Sequence, residues 1–244
     1  PLEAAALFAS SRFIKNLPQG DGHPVMVLPP YMASDTITTQ LRRAIESWGY
    51  ETYGWGLGAN LAHTELNTME GAVRERHKAL LQVEQRLDKI YQSSGQRKVS
   101  LVGWSLGGMH ACELARRNPD KVRQIMTLGS PLGDPRGTAI FAITARITGN
   151  EPSDAEIARW VGDLKEPLRG VPATSIYSES DGVVVPYIAK LARGPQAQNI
   201  CVKSSHVGMA FNRRVFFIIA DRLAVPEKEW VPFRVARWKK WLVS

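Results

Sequence analysis

The sequence has little of what marks several protein classes. Its 244 residues include two cysteines, Cys112 and Cys201, too few for the disulfide framework of a small secreted domain, so we expect buried free thiols. Apolar runs are interrupted by glycine, proline or charge well before the roughly 20 residues that span a membrane. The glycines match neither a dinucleotide nor a phosphate fingerprint, and no cluster of metal ligands is visible. No cofactor and no metal are therefore expected.

The composition fits one large α/β domain over residues 1–244. Hydrophobic residues make up 44% of the chain, which is ample for a core. The net charge is +8, but the basic residues are spread among acidic ones and no groove-reading motif accompanies them. Nucleic acid is therefore not an expected partner, and the oligomeric state is not indicated. We expect a cytoplasmic protein, with a removed signal peptide left open because the chain begins at Pro1.

The most informative stretch is Gly103-Trp104-Ser105-Leu106-Gly107, which lies between an apolar strand and a run of helix formers. This pattern predicts a nucleophile elbow that lifts the Ser105 hydroxyl above a sheet. Glycines two residues before and after the serine leave room for so sharp a turn. The helix that follows presents unpaired N–H groups, so Leu106 is a candidate oxyanion donor. The alternative is a glycine-rich turn that only packs.

A second oxyanion donor is expected from the loop after the first strand, Val25 to Leu28. Tyr31 is the best candidate and Met32 the next, because Pro30 has no N–H. Ser34 is placed to cap the helix that follows. An ordinary connecting loop is the alternative.

Two late loops each offer one further catalytic residue. Asp181 follows a strand over Pro172 to Tyr177, with Glu179 as the second choice of acid. Of the five histidines, only His206 lies in a loop after a late strand. The order serine, acid, histidine is that of the α/β-hydrolase arrangement.

Between these signals, after the strand that ends near Leu128, the alternation of strand and helix breaks. Residues 132–170 hold a helical stretch around Ile140 and a second helix that opens with a capping box of Ser153 and Glu156. We predict that this insertion forms a small helical cap or lid above Ser105. The alternative is that both helices extend the outer layer.

Four motifs together resemble bacterial α/β-hydrolases of the esterase/lipase group, especially small, poorly characterised members. They are Gly103 to Gly108, Thr127 to Pro131, Ser180 to Val184 and Ser205 to Gly208. The resemblance implies an α/β-hydrolase fold with about six mostly parallel strands flanked by helices. The chain departs from the group's pattern where a His-Gly or Pro-Gly pair is usual, because it has Pro29-Pro30.

The resemblance also implies a serine hydrolase that cleaves carboxylic esters through Ser105, His206 and Asp181. A thioesterase or acyltransferase with the same triad, and a non-catalytic binding protein with this fold, are the alternatives. Apolar residues near the expected mouth favour a small-molecule or lipid ester with a hydrophobic acyl group, and hence a role in lipid metabolism. The expected pocket residues are Met32, Trp104, Val183, Val184, Val207, Met209, Ile140 and Trp160.

The C-terminal segment, residues 226–244, interleaves tryptophan and phenylalanine with arginine and lysine. Such a segment suits peripheral contact with an anionic membrane. The plainer interpretation is that it docks its aromatic rings on the core and leaves its charges in water.

Overall fold

A single parallel sheet of six strands organises the fold. The computed structural model describes residues 17–61, 69–148 and 152–234. The strands are β1 (Pro24–Leu28), β2 (Glu51–Gly54), β3 (Val99–Trp104), β4 (Val122–Leu128), β5 (Ala173–Tyr177) and β6 (Ala197–Cys201). Their order in the sheet is β2-β1-β3-β4-β5-β6, and all neighbours pair in parallel. This confirms the predicted fold class.

Helices flank the sheet on both faces. They are α1 (Asp35–Ser47), α2 (Met69–Ser93), α3 (Leu106–Arg117), α4 (Ala139–Thr148), α5 (Asp154–Val161) and α6 (Arg213–Leu223). The side chain of Ser34 caps α1, and Ser153 with Glu156 forms the predicted capping box of α5. Within the described residues, no helix combines the length and apolar character needed to cross a membrane.

The central strands are buried on both faces, which is why they read as continuous apolar runs. Successive side chains alternate between two cores. Leu101 and Ile125 belong to the core shared with α2, α3 and α5, whereas Val102 and Met126 belong to the core shared with α1 and α6. Because β3 is the third of the six strands in sheet order, the turn that follows it lies near the middle of the sheet's carboxyl edge.

The two cysteines differ in burial. Cys112 on α3 is a buried free thiol, and burial raises its pKa to about 12. Cys201 is exposed, so the expectation of a buried thiol is wrong for this residue. The reason is position, because β6 is an edge strand and has a neighbour on one side only.

The two helices of the insertion have different surroundings. On α2, the Arg76 guanidinium lies 4.4 Å from the centroid of the Trp160 ring and donates to the Trp160 carbonyl at 2.7 Å, so α5 packs against α2. By contrast, α4 begins beside the Asp181 loop, where Ala139 N–H donates to the Val183 carbonyl at 2.8 Å. A cap above Ser105 formed by residues 132–170 remains a prediction.

Part of the C-terminal segment docks on the body of the protein. The Phe233 ring lies 5.9 Å from that of Phe217 on α6, and its N–H donates to Gln198 at 2.8 Å. This agrees with the docked interpretation as far as residue 234. Residues 235–244, with most of the basic-aromatic pattern, lie outside the described residues.

Candidate active site

Ser105 occupies a strained turn between β3 and α3. Its φ of +53° and ψ of −121° are values that a non-glycine residue rarely adopts. The neighbouring glycines are required sterically, because a Cβ on Gly103 would lie 2.4 Å from the Gly107 carbonyl oxygen. One on Gly107 would lie 2.4 Å from the carbonyl oxygen of Leu28. The sequence thus folds into an elbow because only glycine fits on either side of the serine.

Asp181 and His206 are in direct contact. Asp181 Oδ2 lies 2.8 Å from His206 Nδ1, and Asp181 Oδ1 accepts hydrogen bonds from the N–H groups of Val183 and Val184 at 2.8 and 2.9 Å. Burial alone would raise the pKa of this carboxyl, but the bonds from His206, Val184 and Val183 bring it below the usual value. An ionised carboxylate only accepts, so Nδ1 carries the proton and Nε2 is left as the basic nitrogen.

Backbone contacts join this pair to the elbow. The indole N–H of Trp104 donates to the His206 carbonyl at 3.2 Å, and Ser105 N–H donates to the Leu128 carbonyl at 2.8 Å. Directly after Leu128, a Cβ on Gly129 would lie 3.0 Å from Asp181 Oδ2 and 3.2 Å from His206 Nδ1. The structure thus gathers all three candidate catalytic residues around one edge of the sheet.

Gly129 is a site residue that the sequence analysis did not single out. Its φ is +53°, and any side chain there would press on the Asp181–His206 pair. The sequence feature that could have identified this residue is a glycine directly after a buried strand.

The two candidate oxyanion donors lie on neighbouring elements. Leu106 N–H is the first amide of α3, for which the helix itself offers no acceptor. The loop after β1 forms a turn in which Ala33 N–H donates to the Pro30 carbonyl at 3.2 Å. Met32 N–H donates to the Asn60 carbonyl at 2.9 Å, so this amide is engaged. A trans peptide plane directs Tyr31 N–H opposite to the Pro30 carbonyl, away from the turn.

The expected pocket residues divide into exposed and buried groups. Met32 and Val207 are 68% and 62% exposed and adjoin Tyr31 and His206 in the chain, while Ile140 on α4 is 41% exposed. Val183 is half-buried. The buried members are Trp104, Val184, Met209 and Trp160. Of these, Trp160 packs against the Arg76 guanidinium.

A second Ser-His-Asp arrangement lies at the opposite end of β3. His23 Nε2 is 2.7 Å from Ser100 Oγ, and His23 Nδ1 is 2.5 Å from Asp21 Oδ1. Ser100 and His23 are 0% and 1% exposed, whereas Ser105 is 6% exposed. We interpret this arrangement as a structural tie between β1 and β3, since a sealed hydroxyl has no access to substrate.

This tie predicts a pH-dependent stability. Burial, with the nearby Arg123 charge, lowers the pKa of His23 from 6.5 to about 4. Between these pH values the unfolded chain binds a proton that the folded protein does not, so the free energy of unfolding should fall by about 3 kcal/mol as pH drops through this window. Urea denaturation over this range measures the slope. His23→Gln should flatten it, and the exposed-site change His77→Gln should not; equal slopes in both variants would contradict the assignment.

Sequence comparisons extend over part of the chain. A family model described as the alpha/beta hydrolase fold matches residues 77–148, which include the elbow. A curated relative, the pimeloyl-[acyl-carrier protein] methyl ester esterase of Proteus mirabilis, is 29% identical over 89 residues, covering 32% of this chain and 34% of that protein. The match therefore spans about a third of the curated relative's length.

Solved structures match over most of the chain at low identity. The mature lipase BlEst2 of Bacillus licheniformis is 18% identical, with a TM-score of 0.58 over 86% of this chain and 95% of that one. Aspergillus fumigatus lipase B is 16% identical, with a TM-score of 0.65 over 93% and 58%. Naproxen esterase from Bacillus subtilis is 15% identical, with a TM-score of 0.51 over 91% and 96%. At these identities the likeness shows the fold alone.

Proposed function

The chain is an α/β hydrolase by fold, and we propose that it is a serine hydrolase that cleaves carboxylic esters. One observation carries the proposal. The hydrogen-bonded pair Asp181–His206 is tied by Trp104 and the β4 end to a serine held in an elbow conformation. A nucleophile, a base and a group that orients the base are the parts that acyl transfer requires.

The geometry supports the following reaction. His206 Nε2 takes the Ser105 hydroxyl proton as Oγ attacks the ester carbonyl, and the ionised Asp181 stabilises the imidazolium. The N–H groups of Leu106 and Tyr31 hold the tetrahedral oxyanion, each lowering the barrier by roughly 3 kcal/mol. His206 then protonates the departing alcohol oxygen, which leaves an acyl-enzyme. Water hydrolyses this ester by the same route and restores the serine.

Exposed apolar residues around the candidate site support a substrate class. Met32, Val207 and Ile140 expose apolar surface on the loop after β1, beside His206 in the chain and on α4, and together form an apolar rim. An apolar rim favours a hydrophobic acyl group, and hence small-molecule or lipid esters over peptides. The name of the curated relative, a methyl ester esterase, and the lipases and esterases among the structural matches support the ester class.

A fluorophosphonate probe and an ester panel test the proposal. The probe bonds covalently to an activated serine, and peptide mass spectrometry should place the label on Ser105 and not on the sealed Ser100. Hydrolysis of p-nitrophenyl esters should rise in kcat/KM as the acyl chain lengthens from acetate. No label on the folded protein would indicate a non-catalytic fold. Labelling without ester hydrolysis, combined with cleavage of acyl thioesters, would indicate a thioesterase.

A further inference from the structure

We propose that Asn60 is the positioning residue of the oxyanion loop, an inference that rests on the proposed function. Asn60 is fully buried and makes three hydrogen bonds to the loop from Pro29 to Ala33. Its N–H donates to the Ala33 carbonyl at 2.8 Å, and its carbonyl accepts from Met32 N–H at 2.9 Å. Its side-chain Nδ2 donates to the Pro29 carbonyl at 2.9 Å. One residue thus holds both ends of the loop.

The loop needs this external support because its own sequence supplies little. Pro29 and Pro30 have no N–H, so neither can hold the turn through a backbone amide of its own. Met32 has a φ of +59°, which is unfavourable for a non-glycine residue and persists only where neighbours fix it. The Asn60 carbonyl engages Met32 N–H and so fixes the peptide plane between Tyr31 and Met32.

The side-chain bond to Pro29 reaches the elbow itself. A Cβ on Gly107 would lie 2.8 Å from the Pro29 carbonyl oxygen, so this oxygen sits against the start of α3. Asn60 gives that oxygen a donor where no water can replace it, because the residue is sealed from solvent. The Asn60 amide therefore holds the oxyanion loop at a fixed distance from Leu106.

Asn60 follows a loop segment that is hydrogen-bonded to the framework. The backbone N–H of Trp55 donates to Asp35 at 2.9 Å, and its indole N–H donates to the Gly58 carbonyl at 2.8 Å. Trp55 is 2% exposed. These bonds anchor the segment from Trp55 to Asn60 at the N-terminus of α1, so the position of Asn60 follows from the framework.

The isosteric change Asn60→Asp tests the side-chain bond. It keeps both backbone bonds but turns a carboxylate toward the Pro29 carbonyl, which repels it. We expect kcat for p-nitrophenyl acetate at pH 8 to fall about 100-fold with KM changed little, the size of losing one oxyanion donor. Burial raises the pKa of the introduced carboxyl, and its protonated form can donate again. The ratio of variant to wild-type kcat should therefore rise as pH falls, which a purely structural defect would not produce.

Asn199→Asp is a control that loses the same kind of bond at an exposed position. Asn199 Nδ2 also donates to a backbone carbonyl, that of Leu191 at 3.1 Å, on the edge strand β6. This variant should keep the wild-type kcat at every pH. If Asn60→Asp also stays within twofold of an active wild type, the positioning role is overturned.

A second measurement does not depend on activity. Hydrogen exchange in peptides covering residues 29–34 should accelerate at least tenfold in Asn60→Ala and stay unchanged in Asn199→Ala. Unchanged exchange in Asn60→Ala would overturn the proposal even if that variant had lost activity. If the wild type cleaves no ester, the proposed function fails, and the exchange rates still decide whether Asn60 holds the loop.

Discussion

Replacing Ser105 by alanine is expected to lower kcat/KM for a p-nitrophenyl ester by on the order of 10⁴- to 10⁶-fold. The variant lacks the proposed nucleophile, while the proposed oxyanion donors and substrate contacts remain and leave a small residual rate. Alanine also fits the backbone no worse than serine at a φ of +53°. The melting temperature of the variant should therefore stay within a few degrees of that of the wild type, and labelling by the fluorophosphonate probe should disappear.

Ser100→Ala is the matched control for this prediction. Ser100 lies within β3 and Ser105 directly follows this strand, and Ser100 is hydrogen-bonded to His23, which in turn contacts Asp21. Removing the Ser100 hydroxyl leaves His23 Nε2 buried without this partner, which costs about 1 to 3 kcal/mol of stability. Turnover should be unchanged. If Ser100→Ala lost turnover and Ser105→Ala kept it, the nucleophile would be Ser100 and the proposed role of Ser105 would be wrong.

The double variant Ser105→Ala with His206→Gln tests whether the two residues act as one catalytic unit or lower the barrier independently. In a triad the base has no function once its nucleophile is gone, so the double variant should be about as slow as the single one. A further large loss in the double variant would mean that His206 acts on a different group. Progress curves at high enzyme concentration measure both residual rates.

Short sequence patterns and the topology of parallel strands account for the parts of the fold and of the candidate site that the sequence predicts. Glycines on both sides of Ser105 fix the elbow, because their absent side chains leave room that the turn needs. The Asp181–His206 contact follows from topology, since carboxyl ends of parallel strands meet at one edge. A capping serine specifies the start of a helix, as Ser34 does for α1, because the bond it makes is local.

Features that depend on contacts between residues far apart in the sequence could not be predicted from such patterns. Asn60 has no local pattern, because its partners lie about 30 residues earlier in the chain. The apolar stripe of α5 reveals a buried face but not the surface that covers it, which is α2 with Arg76. Alternation along β6 likewise does not distinguish an edge strand from a central one, so the exposure of Cys201 could not be predicted.

Gly107→Ala is expected to lower both stability and activity. The added Cβ would lie 2.4 Å from the Leu28 carbonyl oxygen and 2.8 Å from that of Pro29, and neither backbone can move cheaply beside a fully buried strand. Overpacking of this kind should reduce the free energy of unfolding by about 3 kcal/mol, or about 6 to 12 °C in Tm. Since Pro29 begins the oxyanion loop, kcat should fall more than Tm alone explains.

Gly182→Ala isolates the steric cause, because it makes the same chemical change with no heavy atom within 4 Å of the new Cβ. It should leave stability unchanged or raise it by up to about 1 kcal/mol through a less flexible unfolded chain. Differential scanning calorimetry of the two variants side by side measures the contrast. Equal Tm values would mean that β1 yields at its carboxyl end, and Gly107 would then be dispensable to the elbow. A large gap in Tm, together with an excess loss of kcat in Gly107→Ala, would link the packing of the first strand directly to the stabilisation of the oxyanion.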